Sequence, residues 1–375
     1  MVREDFIPVC SPHLGEREKE LLAECVDTGW ISSEGSFVRR LEQGMAGQTG
    51  RAYGVAVSNG TAALDVAFAA LDVGHGDEVV LPTFTIISCV LQVVRSGAVP
   101  IFVDCRPDTW CMDVEQVRQC LTPRTKAVLA VHIYGLPVDM DPLVSLCEEH
   151  GVTLVEDAAQ AIGLTYKDRP CGGFGKLSVM SFYPNKFVTT GEGGMILTDD
   201  EELAERCRSL RNLCFEPGER FLHRELGWNC RMSNLQAAVG VAQLERLEET
   251  VERKVAIGRW YSENLKGLVG IETAPVKTQF GDNVFWAVGV VLDETLNLSG
   301  GEVMAKLAEE GIGTRPFFRP LHQQPALERY VSQTQIACPV SEGISQRGFY
   351  LPNGVDLTQN ELGRVSAALR TVLEG

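Results

Sequence analysis

The sequence predicts an α/β protein: a large domain built on a mainly parallel sheet, followed by a smaller C-terminal α+β domain. Three observations predict it. Between residues 50 and 200, short runs rich in β-branched residues alternate with helical patterns. Those runs are continuously apolar, as strands covered on both faces by helices must be. And 375 residues, 45% hydrophobic and 22% charged, suffice for two full cores with an ordinary globular composition.

Taken in order, an N-terminal helical segment leads into strands expected at residues 55–57, 78–81, 100–103, 127–131, 152–155 and 195–198. Helices are expected between them at 62–71, 86–96 and 141–150. From 201 to 266 the pattern reads as helices, including 236–254, where Glu and Arg recur at helical spacing. A strand at 285–292, a helix at 301–310 and Gly/Pro-rich connections at 315–325 make the smaller domain. The boundary falls at 245–255, giving domains 1–250 and 251–375.

Composition narrows the function. Lys and Arg number 34 against 50 Asp and Glu, a net charge of −16, so phosphate backbones are repelled and nucleic acid is excluded as a partner. An anionic ligand would have to be met by local cations or helix N-termini. The 12 cysteines show no Cys-x-x-Cys spacing and the six histidines no ligand spacing, so reduced thiols and no metal are expected. No apolar run has signal-peptide or membrane-span length, which predicts a cytoplasmic protein without a membrane partner.

Three stretches carry chemistry. In Val57-Ser58-Asn59-Gly60-Thr61-Ala62, a strand stops at Asn-Gly and Thr61 opens an Ala-rich helix, whose unpaired N–H groups suit a phosphate. The same residues also fit a plain turn with a capping Thr. In Leu154-Val155-Glu156-Asp157, the acid follows an apolar strand at the carboxyl edge, where open parallel sheets bind ligands; a helix N-cap is the other reading. Lys186 follows the apolar Ser178–Phe182 run and precedes the Gly-rich Thr190-Gly191-Glu192-Gly193-Gly194, a setting in which desolvation makes an amine nucleophilic. An anion cradle, a strand-end acid and a nucleophilic amine are the protein parts of a pyridoxal phosphate site. The Gly172-Gly173-x-Gly175 run lacks the strand–helix context of a phosphate loop and reads as a turn between strands.

These stretches, with Gly227-Trp228-Asn229-Cys230-Arg231-Met232, Gln236-Ala237-Ala238, Arg315-Pro316 and Pro320-Leu321-His322, resemble the DegT/DnrJ/EryC1/StrS family of sugar aminotransferases from end to end. The resemblance implies the aspartate aminotransferase (type I) fold and pyridoxal 5′-phosphate as cofactor. It makes Lys186 the Schiff-base lysine, Asp157 the partner of the pyridine nitrogen and Gln160 a neighbour of the ring hydroxyl. Gly60, Thr61 and Ser181 would bind the phosphate. Asn229 would reach the phosphate site of a second subunit, which implies a homodimer with shared sites. Glu192, Arg315 and His322 would be pocket residues on the substrate side. Where the family usually carries an aromatic residue that stacks on the cofactor ring, this chain has Ile86, whose aliphatic face would pack there instead.

The implied activity is transfer of an amino group from glutamate to the keto group of a nucleotide-linked keto-deoxysugar, most simply C4 of a GDP- or dTDP-4-keto-6-deoxyhexose; UDP-sugars are the further possibility. Residues 130–135 and 182–195 are most similar to the branch acting on GDP-4-keto-6-deoxymannose, which would place the product in surface-glycan assembly. The family's dehydratases replace the lysine by histidine, so Lys186 speaks for amino transfer. A non-catalytic sensor that kept the fold would be expected to have lost some of Asp157, Ser181, Lys186 and Asn229.

Overall fold

Seven strands, each buried along most of its length, form the sheet that organises the large domain. The computed structural model describes residues 5–374 apart from 217, 220 and 332–336. The strands are β1 (Tyr53–Val57), β2 (Glu78–Pro82), β3 (Val99–Val103), β4 (Thr125–Val131) and β5 (Thr153–Asp157). A two-stranded ribbon, β6 (Thr165–Tyr166) and β7 (Arg169–Pro170), precedes β8 (Leu177–Ser181) and β9 (Gly194–Thr198). The sheet order is β1-β9-β8-β5-β4-β2-β3. β9 runs antiparallel to both neighbours and every other pairing is parallel, so the mainly parallel sheet holds one reversed strand.

Around the sheet lie α1 (Glu16–Thr28), α2 (Ser36–Thr49), α3 (Gly60–Ala70), α4 (Ser88–Arg95), α5 (Val114–Cys120), α6 (Met140–His150), α7 (Glu201–Arg211), α8 (Asn234–Glu245) and α9 (Leu247–Asn264). Helix throughout 201–266 is corrected in one place: the described residues of 212–233 form a loop. Leu213 and Cys214 take left-handed φ values of 62° and 50°, which stop α7. The loop then returns to β1 through a bridge between Val57 and Arg231.

The smaller unit contains β10 (Ile271–Thr273), β11 (Val288–Leu292), α10 (Gly300–Glu309), β12 (Arg315–Pro316), α11 (Pro339–Arg347), β13 (Gly348–Leu351) and α12 (Gln359–Glu374). Its antiparallel sheet has the order β10-β11-β13-β12. The expected strand 285–292 begins only at Val288, because Phe285 has a φ of 50° that no strand accommodates. Helix α9 spans two apolar clusters: Leu247 packs with the large core, Ile257 and Tyr261 with the small one. Ile7 also belongs to the small core and bridges to Ile312, so the first described residues lie against the C-terminal unit.

Registers bring the chemistry to one edge. Val131 pairs with Asp157, Asp157 with Val179, Ser181 with Gly194, and Gly194 with Val57. The ends of β1, β5 and β8 and the start of β9 therefore open on the same side of the sheet.

Candidate active site

At that edge a cavity of about 710 Å³ is lined by Gly60, Thr61, Ile86, Asp157, Gln160, Ser181, Lys186 and Glu192, eight residues singled out from sequence. A larger groove of about 940 Å³ lies at the other end of β5 and β8, where several charges are paired with one another, as in Arg51–Asp199 at 2.7 Å and Lys176–Asp200 at 2.6 Å.

The anion cradle is built as helix chemistry requires. Asn59, not Thr61, caps α3: its side chain accepts the Ala62 N–H at 2.8 Å. The N–H groups of Gly60 and Thr61, in the first turn, keep no helical partner. The Thr61 hydroxyl lies 2.8 Å from that of Ser88. Gly60 is there because space is short: a Cβ would stand 2.9 Å from Ser181 Cβ.

Asp157 is no helix cap, since turns and not a helix follow β5. Oδ1 accepts the Ala159 N–H at 3.0 Å, and Oδ2 accepts the Cys89 thiol at 3.2 Å. Burial, with Asp157 nearby, holds the Cys89 pKa well above the usual thiol value, so it remains a donor. Gln160 gives its carbonyl to the Tyr134 N–H at 2.7 Å, which leaves the amide NH₂ for the site. Beside Asp157 on the opposite face of β5, Glu156 is fully buried and takes the N–H groups of Gly172, Phe174 and Gly175 at 2.7, 2.7 and 2.6 Å. The Gly-rich turn thus does bind an anion, the chain's own carboxylate.

Lys186 lies 4.2 Å from the centroid of the Trp286 ring. Burial lowers its pKa to about 8, against the upward pull of Asp157 and with a further lowering from Lys254. Near neutral pH a useful fraction is therefore free amine.

Three expected residues lie outside the cavity lining. His322 stands between Thr83 and Glu342: Nδ1 is 2.7 Å from Thr83 Oγ1, and Nε2 is 3.1 Å from Glu342. Both ring nitrogens are engaged in these contacts. Arg315 is exposed at the start of β12, its Nη1 bonded to the Thr314 carbonyl at 3.2 Å. Asn229 is exposed and paired by a backbone bridge to Asn212, outside the lining of its own cavity. The sequence reading did not single out Trp286, Phe318 and Tyr350, which line the cavity from the small domain, or Cys89. The one signal for the first three was aromatic placement, Trp286 just before β11, Phe318 just after β12 and Tyr350 within β13.

The DegT/DnrJ/EryC1/StrS aminotransferase family matches residues 12–370. A GDP-perosamine synthase of Caulobacter vibrioides is 39% identical over 367 residues, covering 98% of this chain and 98% of that protein. A GDP-perosamine synthase of Escherichia coli O157:H7 is 38% identical over 358 residues, covering 95% and 96%. Among solved structures, an aminotransferase, TlmJ, from Streptoalloteichus hindustanus superposes with a TM-score of 0.92 at 31% identity, covering 98% of this chain and 99% of that one.

Proposed function

The chain belongs to the DegT/DnrJ/EryC1/StrS aminotransferase family, and from that premise we propose that it moves the amino group of glutamate to C4 of a nucleotide-linked 4-keto-6-deoxyhexose, with GDP-4-keto-6-deoxymannose as the acceptor. The observation that carries the choice of sugar is the near full-length similarity, at 39% and 38% identity, to two GDP-perosamine synthases. The family's chemistry is pyridoxal-phosphate-dependent amino transfer to sugars.

The residues fit that cofactor. Lys186 would hold it covalently, the first turn of α3 with Ser181 would take the phosphate, Asp157 would face the ring nitrogen and Ile86 would cover a ring face. When bound, pyridoxal phosphate supplies an aldehyde for the donor amine and a ring that takes up electrons released at the donor carbon. The chain does the rest. Asp157, with both oxygens anchored, keeps a negative charge at a fixed point. Lys186 Nζ, with a pKa near 8, can accept a proton and return it within the same cavity. Gln160, Ser181 and the α3 amides orient without titrating.

The test is incubation of the purified protein with glutamate and, separately, GDP-, dTDP- and UDP-4-keto-6-deoxyhexoses, read by mass spectrometry. Amination of the GDP-sugar at the highest kcat/KM is expected. Preference for dTDP or UDP would move the assignment to those sugars, and a colourless protein inert toward all three would remove the enzymatic reading.

A further inference from the structure

Asp157, Cys89 and Lys254 act on Lys186 through charge, and the one aromatic ring face set over its amine comes from the small domain. Trp286 is 5% exposed and presents its ring face to Lys186 Nζ at 4.2 Å from the centroid. No hydrogen-bonding side chain holds that amine among the described residues.

The indole is placed with care. Its backbone carbonyl accepts from Asn353 Nδ2 at 2.8 Å, and the Phe285 carbonyl from the same nitrogen at 3.0 Å. Asn283 Oδ1 accepts the Phe285 N–H at 2.7 Å, holding Phe285 at its φ of 50°, a conformation an L-residue keeps only when its surroundings impose it. On the other side Val284 N–H donates to Gly135 O at 3.0 Å. Gly135 has a φ of 102°, and a Cβ there would lie 2.7 Å from the Trp286 amide nitrogen, so only glycine lets the segment approach. Tyr134 stacks on the indole at 5.9 Å with planes 15° apart.

We propose that Trp286 is a positioning residue for Lys186: the small domain supplies an indole face that holds the protonated amine at the cavity floor, so that Lys186 keeps its place between proton transfers. A ring face attracts an ammonium and is indifferent to an amine, and the attraction grows when water is excluded. It also leaves Nζ free to swing out, because a face imposes no single hydrogen-bond direction. The proposal rests on the reading of Lys186 as the reactive amine.

Other groups face Lys186 as well. Asp157 from β5 and Cys89 from α4 favour its charged form, Lys254 from α9 disfavours it, and Glu192, Tyr350 and Asp65 line the same cavity, with Tyr183 at its edge. His13 and Cys10 lie with Lys254 in a small void behind. A change of side-chain size at 286 would alter hydration of all of them, so the decisive change keeps the shape.

Fluorinated tryptophans placed at position 286 in the full-length chain retain the ring while draining its face of negative charge. The readout is the midpoint of Lys186 acetylation against pH in the cofactor-free protein, by competitive labelling with acetic anhydride and peptide mass spectrometry. Losing the attraction should move the midpoint down by roughly 0.5–1.5 pH units across the series, stepwise with fluorine number. Trp286→Phe should fall between. A midpoint that stays put across the fluorine series overturns the proposal. A separate borohydride reduction of the holoenzyme, with peptide mapping, tests the underlying reading: a phosphopyridoxyl group on another lysine would overturn the role of Lys186, whatever the labelling shows about Trp286.

Discussion

Both oxygens of Asp157 are held before any ligand arrives, one by a backbone N–H and the other by a thiol. A thiol is a weak donor, so it can orient the carboxylate while leaving most of its charge for the cofactor. Asp157→Asn should remove that charge with little change of shape. Loss of an ionic hydrogen bond of roughly 1.5–3 kcal/mol, felt wholly in the transition state, slows conversion by about one to two orders of magnitude. Single-turnover reaction with glutamate measures it, and a rate within twofold of wild type would reduce Asp157 to the anchor of a turn. Cys89→Ala should cost less, about fivefold for roughly 1 kcal/mol. Cys89→Ser, which restores a donor, should recover most of the rate, whereas equal losses in both variants would point to packing alone.

At the scale of elements, β5 shows how one strand serves two purposes. Its alternation sends Asp157 to the cavity and Glu156 into a cage of amide N–H groups from the turn before β8, with His132 Nε2 at 3.1 Å. His132 Nδ1 accepts the Val138 N–H at 3.2 Å, so the proton is on Nε2 and points at the carboxylate. Burial would raise the Glu156 pKa, but His132 and the amides outweigh it and hold the pKa below its ordinary 4.5. A carboxylate with a depressed folded pKa contributes stability that is complete above its unfolded pKa and is lost as pH falls through the folded one. Glu156→Gln should therefore lower the urea midpoint by the equivalent of roughly 1.5–3 kcal/mol at pH 7, and the gap to wild type should narrow below pH 4.5. A gap that stays constant on acidification would mean the carboxylate's charge is not what matters. The same strand shows what could be read in the sequence. Strands covered on both faces leave continuous apolar runs, so the large sheet and the ends that carry Asp157 and Lys186 were legible. The reversal of β9 was not, since direction leaves no local mark. Nor was the loop at 212–233, where two left-handed residues override a helical composition. Trp286 and Tyr350 escaped notice because they reach the cavity through tertiary contacts of the small domain, and the Thr83 and Glu342 contacts of His322 could not be read because a motif does not say which way a ring is tied.

For the molecule as a whole, charge bears on whether one chain alone makes the site. The cavity lining contains one cation, Lys186, against Asp65, Asp157 and Glu192, within a chain of net charge −16. A cofactor phosphate and a nucleotide diphosphate are both anions, and helix α3 alone is a modest attraction against that field. We propose that polar groups of a second chain complete the site. Asn229 stands exposed on a segment that reaches the end of β1 through the Ser58 N–H to Cys230 O bond at 2.8 Å, close to the cradle but outside it. Apolar side chains lie open on the same loop, Leu226 at 90% and Phe221 at 75% exposure, and Trp30 is 56% exposed. These observations favour a two-fold dimer in which Asn229 of one chain completes the other's phosphate site. Subunit mixing tests it. Lys186→Ala disables the chain's own cavity, and Asn229→Asp places a negative charge in the partner's. In a randomly mixed population of shared-site dimers, half would be hybrids, each with one doubly damaged and one intact site, so two inactive proteins should together regain about a quarter of wild-type activity. If each site is built by one chain, Asn229→Asp stays active on its own because Asn229 lies outside its own cavity, mixing gives only the average of the two separate proteins, and the shared-site dimer is refuted.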